Sequence, residues 1–382
     1  MSPTRRIDEI DTIRGFALAG ILIANIGFIA DPRLLGTIGF GTTGPVDFVV
    51  QTFVLSKFYV IFSFLFGYSF TLQHRNGTRV AARTLRRCAA LLVLGLLHGL
   101  LLWPGDILTL YAVLGVVLLA VHRIRPRTAV VCAAVLLALI AAAYAALAWL
   151  LSLAPSGVAV MPPALSAEQG DRLLAAFTAG PAEFLRVNIA QYAQTVETTW
   201  SAQGPTALAL FLLGLAAGKS RLLERPGDWA HRVPAVQWIG FGVGLPTAVL
   251  YSYLVDQDGT AMVAATALNT LTSPLLAAAY VVTLLRLARR VPAVSAALAP
   301  AGRAAASNYL GQSVLACLVF TGYGLGLAGR LPPVAVMGVA AVVYAVLLGL
   351  SVWWLRRHRH GPVEHLLRLV TNGRRTAAPA RP

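Results

Sequence analysis

Ten runs of mostly apolar residues, each near the ~20 residues a bilayer requires, are separated by short hydrophilic segments. That pattern leaves few folds open. In lipid, every backbone N–H and C=O must find a partner within the structure, so only helices or closed barrels can span. These runs are continuous rather than alternating, which favours helices over barrel strands. Composition agrees. The chain is 57% hydrophobic and 12% charged, where soluble domains carry about 25% charge. The expected fold is an all-α polytopic integral membrane bundle of about ten transmembrane helices, forming one domain over residues 1–382. The spans are expected at 14–30, 48–72, 86–104, 106–122, 128–153, 205–219, 235–254, 260–286, 304–328 and 333–355.

The charges give an orientation. A net charge of +16 raises nucleic acid as a partner. The basic residues, however, sit in clusters between apolar runs and form no single soluble face, so nucleic acid is excluded. With the N-terminus inside, 25 of the 31 Lys and Arg residues fall in segments on the inner side and 4 on the outer. Such a bias predicts N-in, C-in topology in a bacterial inner membrane. The first run has no small-residue cleavage signal and is expected to remain as the first helix. Cys88, Cys132 and Cys317 match no metal or redox spacing and read as buried small apolar residues.

One outer segment is long, residues 154–204. It contains two amphipathic stretches, 166–177 and 181–199, expected to lie on or over the outer face. Ser166 with Gln169 forms a capping-box pattern, and Pro181 suits a first helical position. The stretches could cap a cavity or simply connect.

Polar groups inside a membrane are costly and commonly functional. On the first helix, Asp11, Arg14 and Asn25 share one stripe, since eleven residues come within about 20° of three full turns. An interfacial Arg snorkelling beside Asp11 is the plainer reading. Lys57, one of two lysines, lies within the second span and either snorkels or binds an anionic group. His98 precedes the tight turn Trp103-Pro104-Gly105-Asp106, followed by Tyr111. A turn that short lets Asp106 fold back towards His98, giving an imidazole oriented by a carboxylate. Alternatively, His98 bonds a neighbouring helix and Asp106 caps the next one. No cluster has metal-ligand spacing, so no metal is expected.

Near 304, Asn308 with Gln312 and Tyr309 with Ser313 are four apart and share helix faces. They read either as helix–helix contacts or as a site for an anionic headgroup or cofactor. Beyond the last span, the basic stretch 356–368, with Glu364 and Arg368, reads as an amphipathic tail on anionic lipid or a lid over phosphates.

Several of these residues carry a resemblance. Asp11-x-x-Arg14-Gly15-Phe16-Ala17-x-x-Gly20-Ile21 with Asn25 resembles the start of the YeiB-like family of bacterial membrane proteins. So do Phe62-Ser63-Phe64-Leu65-Phe66-Gly67, Gly95-Leu96-Leu97-His98 through Gly105-Asp106-Ile107-Leu108-x-x-Tyr111-Ala112, and Gly302-Arg303 with Ser307-Asn308-Tyr309-x-x-Gln312-Ser313. Gly361-Pro362-x-Glu364-x-x-x-Arg368 closes a C-terminal signature over about 225–371. That largely uncharacterised family is distantly similar to a superfamily of transmembrane acyltransferases, which transfer acyl groups from cytoplasmic acyl-CoA. In the sugar O-acyltransferases of that superfamily, an Arg is followed eleven residues later by a His. Here Arg14 matches and Asn25 stands at the histidine position.

The resemblance implies a membrane acyltransferase acting from acyl-CoA on a hydroxyl or amine of a small-molecule or glycan acceptor, with no tightly bound cofactor. His98 would be the base, oriented by Asp106, and Asn25 and Tyr111 would hold the oxyanion. Arg14 with Asp11, Lys57, Arg83, Arg86, Arg303, Asn308, Gln312, Glu364 and Arg368 are the candidates for binding the coenzyme. A transporter or flippase of an organic anion is the rival, using the Arg14, Asn25, Lys57 and His98 stripe as a pathway. Against it, no inverted repeat or paired helix break is visible.

Overall fold

A computed structural model describes residues 8–35, 44–74, 80–153, 165–255, 257 and 259–372. Among the described residues there is no strand. The chain opens with α1 (Asp8–Ala30), whose acidic first turn complements the helix dipole. Then come α2 (Pro45–Phe53), α3 (Lys57–His74), α4 (Val80–Leu101), α5 (Leu108–Val121) and α6 (Pro126–Ser152). The second half holds α7 (Ala167–Thr178), α8 (Pro181–Lys219), α9 (Val233–Ile239), α10 (Leu245–Leu254), α11 (Gly259–Arg290), α12 (Pro292–Arg303), α13 (Ala305–Phe320), α14 (Pro333–Leu355) and α15 (Pro362–Asn372).

Eight stretches among the described residues are long and apolar enough to cross a membrane: α1, α2–α3 together, α4, α6, α8, the stretch containing α9 and α10, α11 and α14. The expected spans at 106–122 and 304–328 are the shorter apolar helices α5 and α13. The molecule is an all-α, multi-pass membrane protein. Arg5, Arg6, Arg75, Arg79, Arg374, Arg375, Arg381 and residues 154–164 lie outside the described residues.

Four elements differ from expectation. The stretch 181–199 is no separate surface helix: it continues through Pro205 into the expected span at 205–219 as the 39-residue α8. The second span is broken at Ser56, whose φ of 69° is left-handed. The ninth stops at Phe320, where the chain doubles back. Leu325, Leu327 and Ala328 donate to the carbonyls of Leu318, Val319 and Phe320, satisfying the helix end. The sequence reading did not anticipate α12. The capping box of α7 forms as written, with Gln169 N donating to Ser166 Oγ at 3.2 Å and Ser166 N to Gln169 Oε1 at 2.9 Å.

Burial separates centre from rim. In the most apolar window of α1 and of α8, 61% is buried, against 17% for α6. The inward face of α6 is mostly alanine, Ala129, Ala133 and Ala141 with Leu137, and Val131, Val135 and Leu139 are exposed on the helix. Cys132 is exposed with them: unlike Cys88 and Cys317 it is not buried as expected, because it lies on this outward face. Without water to drive helices together, close backbone approach has to hold them. At the centre, α3 and α8 meet at Gly67 and Gly214, where an added Cβ would overlap Phe211 O and Phe64 O. Likewise α1 and α12 meet at Gly15 and Gly302, against the backbones of Leu298 and Asp11. The second contact fixes the N-terminal end of α1, with its Arg14, beside Arg303 at the end of α12.

Candidate functional site

A cavity and a buried polar group meet at one residue. The first is a cavity of about 610 Å³ at the end of the bundle where α15 lies. Five arginines line it: Arg14 from α1, Arg83 and Arg87 from α4, Arg303 from α12 and Arg368 from α15. Arg14 donates to Asp11 Oδ1 at 3.0 Å and to Ser69 Oγ. Arg87 lies over the Phe66 ring, 5.4 Å from its centroid, a cation–π contact. Arg303 Nε is buried with no hydrogen-bond partner among the described residues. A buried guanidinium donor left open is costly unless something with oxygen atoms completes it.

The cavity is partly roofed by α15. Its Glu364 accepts from Ala306 N at 2.6 Å, Ser307 N at 3.2 Å and Ser307 Oγ at 2.6 Å, so it caps the first turn of α13. Glu364, Leu367, Arg368 and Thr371 face the cavity, whereas Leu366, Leu369 and Val370 are about half exposed on the helix.

Behind the cavity lies a fully buried polar group. His98 Nδ1 lies 2.8 Å from Asp106 Oδ1, and Nε2 lies 2.8 Å from Ser313 Oγ. The His98 and Asp106 side chains are 0% exposed. A carboxylate only accepts, so Nδ1 carries the hydrogen, and in the neutral ring Nε2 is left to accept from the Ser313 hydroxyl. Asp106 Oδ2 accepts from Thr109 N at 2.8 Å, which fixes the carboxylate at the start of α5. Gly95, one turn before His98, makes room: an added Cβ would stand 2.6 Å from Thr109 N and 2.7 Å from Asp106 Oδ2. Asn188 of α8 donates to Gly99 O and Leu100 O at 2.9 and 2.8 Å, holding the last turn of α4.

Tyr309 is the residue at which the two meet. It lines the arginine cavity, and its ring packs on the His98 ring with centroids 4.9 Å apart. Ser313 follows it by one turn on the same face of α13.

The structure therefore brings His98 and Asp106 into one hydrogen-bonded group, and Arg14, Arg83, Arg303, Glu364 and Arg368 into one cavity. Asp11 stands behind Arg14. Tyr111 lines the cavity, but its hydroxyl is 2.5 Å from Ser63 Oγ. Asn25 is half-buried on α1 and is not among the residues lining the cavity. Arg86 is exposed and also lies outside the lining. Lys57 is fully buried elsewhere, donating to Gln51 O at 3.1 Å. Asn308 donates to Ala301 O and Ser351 Oγ, and Gln312 to Leu18 O, so both amides join helices. The sequence reading passed over Arg87 as one member of a basic cluster, and Ser313 as a partner of His98. The four-residue spacing to Tyr309 was the available signal for Ser313.

Two family models match the two halves of the chain. Residues 6–164 match a family model described as heparan-alpha-glucosaminide N-acetyltransferase, catalytic. Residues 217–374 match one described as a protein of unknown function, DUF418. The uncharacterized protein YxaH of Bacillus subtilis (strain 168) is 31% identical over 96% of this chain and 94% of its own length. The uncharacterized protein YeiB of Escherichia coli (strain K12) is 28% identical over 97% of each. An uncharacterized 39.9 kDa protein from the amylase 3′ region of Bacillus acidopullulyticus is 26% identical over 97% and 95%. No solved structure matches the chain.

Proposed function

Since the chain belongs to the family of YxaH and YeiB, and its first half is similar to an acetyltransferase catalytic domain, we propose that it is a membrane-embedded acyltransferase. It takes an acyl group from acyl-CoA and passes it to a hydroxyl or amine acceptor. The observation that carries this reading is the joint position of Tyr309: it lines the chamber of five arginines and its ring packs on a buried imidazole oriented by Asp106.

Each part has a role. Guanidiniums in a half-enclosed chamber suit the phosphates of a coenzyme through paired hydrogen bonds. The open Nε of Arg303 is the first donor such a phosphate would meet. The thioester then extends past Tyr309. His98 Nε2 removes the acceptor's proton as the new bond forms, and Asp106 stabilises the resulting imidazolium. Acceptor classes consistent with this are small molecules and glycans. The clustering of basic residues supports a reading in which the arginine chamber and both termini face the cytoplasm of a bacterial inner membrane, with α15 resting on lipid headgroups through its exposed leucines.

The test is direct. Purified protein should bind acyl-CoA at micromolar concentration and cleave its thioester, and His98→Ala should bind but not cleave. No binding would favour the transporter reading instead.

A further inference from the structure

Ser313 is one of the hydroxyls of this bundle, with Ser63, Ser307 and Ser351, that are spent on another side chain, and its partner is the buried imidazole. Serine and threonine in a membrane helix ordinarily donate to the carbonyl four residues back. Thr12, Ser69, Ser252, Thr266, Thr270 and Thr321 all do so here. Ser313 makes no such bond among the described residues. Its hydroxyl faces His98 Nε2 at 2.8 Å, from a helix 215 residues further along the chain. With Asp106 at Nδ1 and Thr109 N behind Asp106, the four groups form one relay: hydroxyl, imidazole, carboxylate, backbone amide. Carboxylate, ring and hydroxyl in that order, each at 2.8 Å, are what an activated nucleophile requires.

We infer that Ser313 is a nucleophile that carries the acyl group covalently between donor and acceptor. The inference rests on the acyltransferase reading and deepens it. In the first step, Ser313 Oγ bonds to the thioester carbonyl carbon as its proton passes to His98 Nε2. The C–S bond then breaks, and the departing sulfur takes that proton and leaves as free thiol. An ester on Ser313 remains. In the second step, the acceptor O–H or N–H gives its proton to Nε2 and attacks the ester carbonyl. The bond to Ser313 Oγ breaks, and the serine recovers the proton. Donor and acceptor thus need not be bound together. This suits a site in which Tyr309 leaves a narrow approach from the arginine chamber to His98.

Two probes test this on the full-length protein in detergent or nanodiscs. Radiolabelled acetyl-CoA or a longer acyl-CoA, given without acceptor, should leave one acyl group on the peptide containing Ser313, removable by hydroxylamine. Ser313→Ala should abolish both the adduct and turnover. A fluorophosphonate, which reports nucleophilic serines whatever the natural donor, should label Ser313, and His98→Ala should abolish the labelling. Consumption of acyl-CoA with no adduct at Ser313, or by Ser313→Ala at the wild-type rate, would overturn the inference and leave the acyltransferase reading standing. If acyl-CoA neither binds nor is cleaved, that reading falls. Fluorophosphonate labelling then decides whether Ser313 is a nucleophile for another donor, and its absence ends the proposal.

Discussion

Ser307 and Glu364 cap each other's helices: the Ser307 hydroxyl donates to Glu364 Oε2 at 2.6 Å, and Ser307 Oγ accepts from Val363 N at 3.0 Å, in the first turn of α15. Glu364→Ala removes three hydrogen bonds from the first turn of α13 and the main tie between the two helices. Hydrogen bonds to a charged group contribute about 2 kcal/mol. Hydrogen exchange in α15 should therefore speed up by roughly thirtyfold, with little change elsewhere. Unchanged exchange would show that α15 is held by its other contacts.

The arginines separate by position. Arg303→Gln and Arg87→Gln should each weaken acyl-CoA binding by tenfold or more, since one guanidinium–phosphate pair is worth about 1.5–3 kcal/mol. Arg86→Gln, one residue from Arg87 and outside the cavity lining, should leave the dissociation constant unchanged. Isothermal titration at two salt concentrations would read both results, and equal effects of the Arg86 and Arg87 changes would contradict the cavity assignment.

Asp106→Asn should lower turnover about a hundredfold or more, because an amide no longer fixes the imidazole hydrogen on Nδ1. Its oxygen can still accept from Thr109 N, so folding should survive. Single-turnover measurements separate the two: the chemical step slows while binding of acyl-CoA stays within a few-fold.

Gly214→Ala places a methyl group into the backbone of α3. Forcing the pair apart should cost at least about 2 kcal/mol, seen as a lower midpoint in thermal unfolding of the detergent-solubilised protein. Gly338→Ala on α14 meets nothing within 4 Å and should be neutral or slightly stabilising. Similar midpoints for both would mean that α3 and α8 do not rely on that contact.

Much of this was legible in the sequence for local reasons. Spans show because lipid demands length and apolarity together. His98 and Asp106 could be paired on paper because only seven residues separate them across a tight turn. Ser313 could not be assigned to His98, because nothing local encodes which helix packs on α4. The same limit applies to Arg87: charge pattern marks a cluster as basic, but the rotation of α4 decides that Arg87 lines the cavity and Arg86 does not. Gly204-Pro205 read as a boundary, yet α8 runs through it, since a proline within a membrane helix is tolerated where neighbours satisfy the freed carbonyl. The polar pair Asn308 and Gln312 could serve a ligand or a neighbouring helix equally on spacing alone. Their partners, Ser351 and Leu18 O, come from helices distant in the chain.

One aromatic ring, Tyr309, lies between the arginine cavity and an imidazole and carboxylate that have no exposed surface. A group that passes that ring leaves its hydration shell behind. On the acyltransferase reading, water, the commonest competitor for an activated acyl group, would then be scarce beside the imidazole, and acceptors would be sorted by whether they can be stripped of solvent as well as by shape.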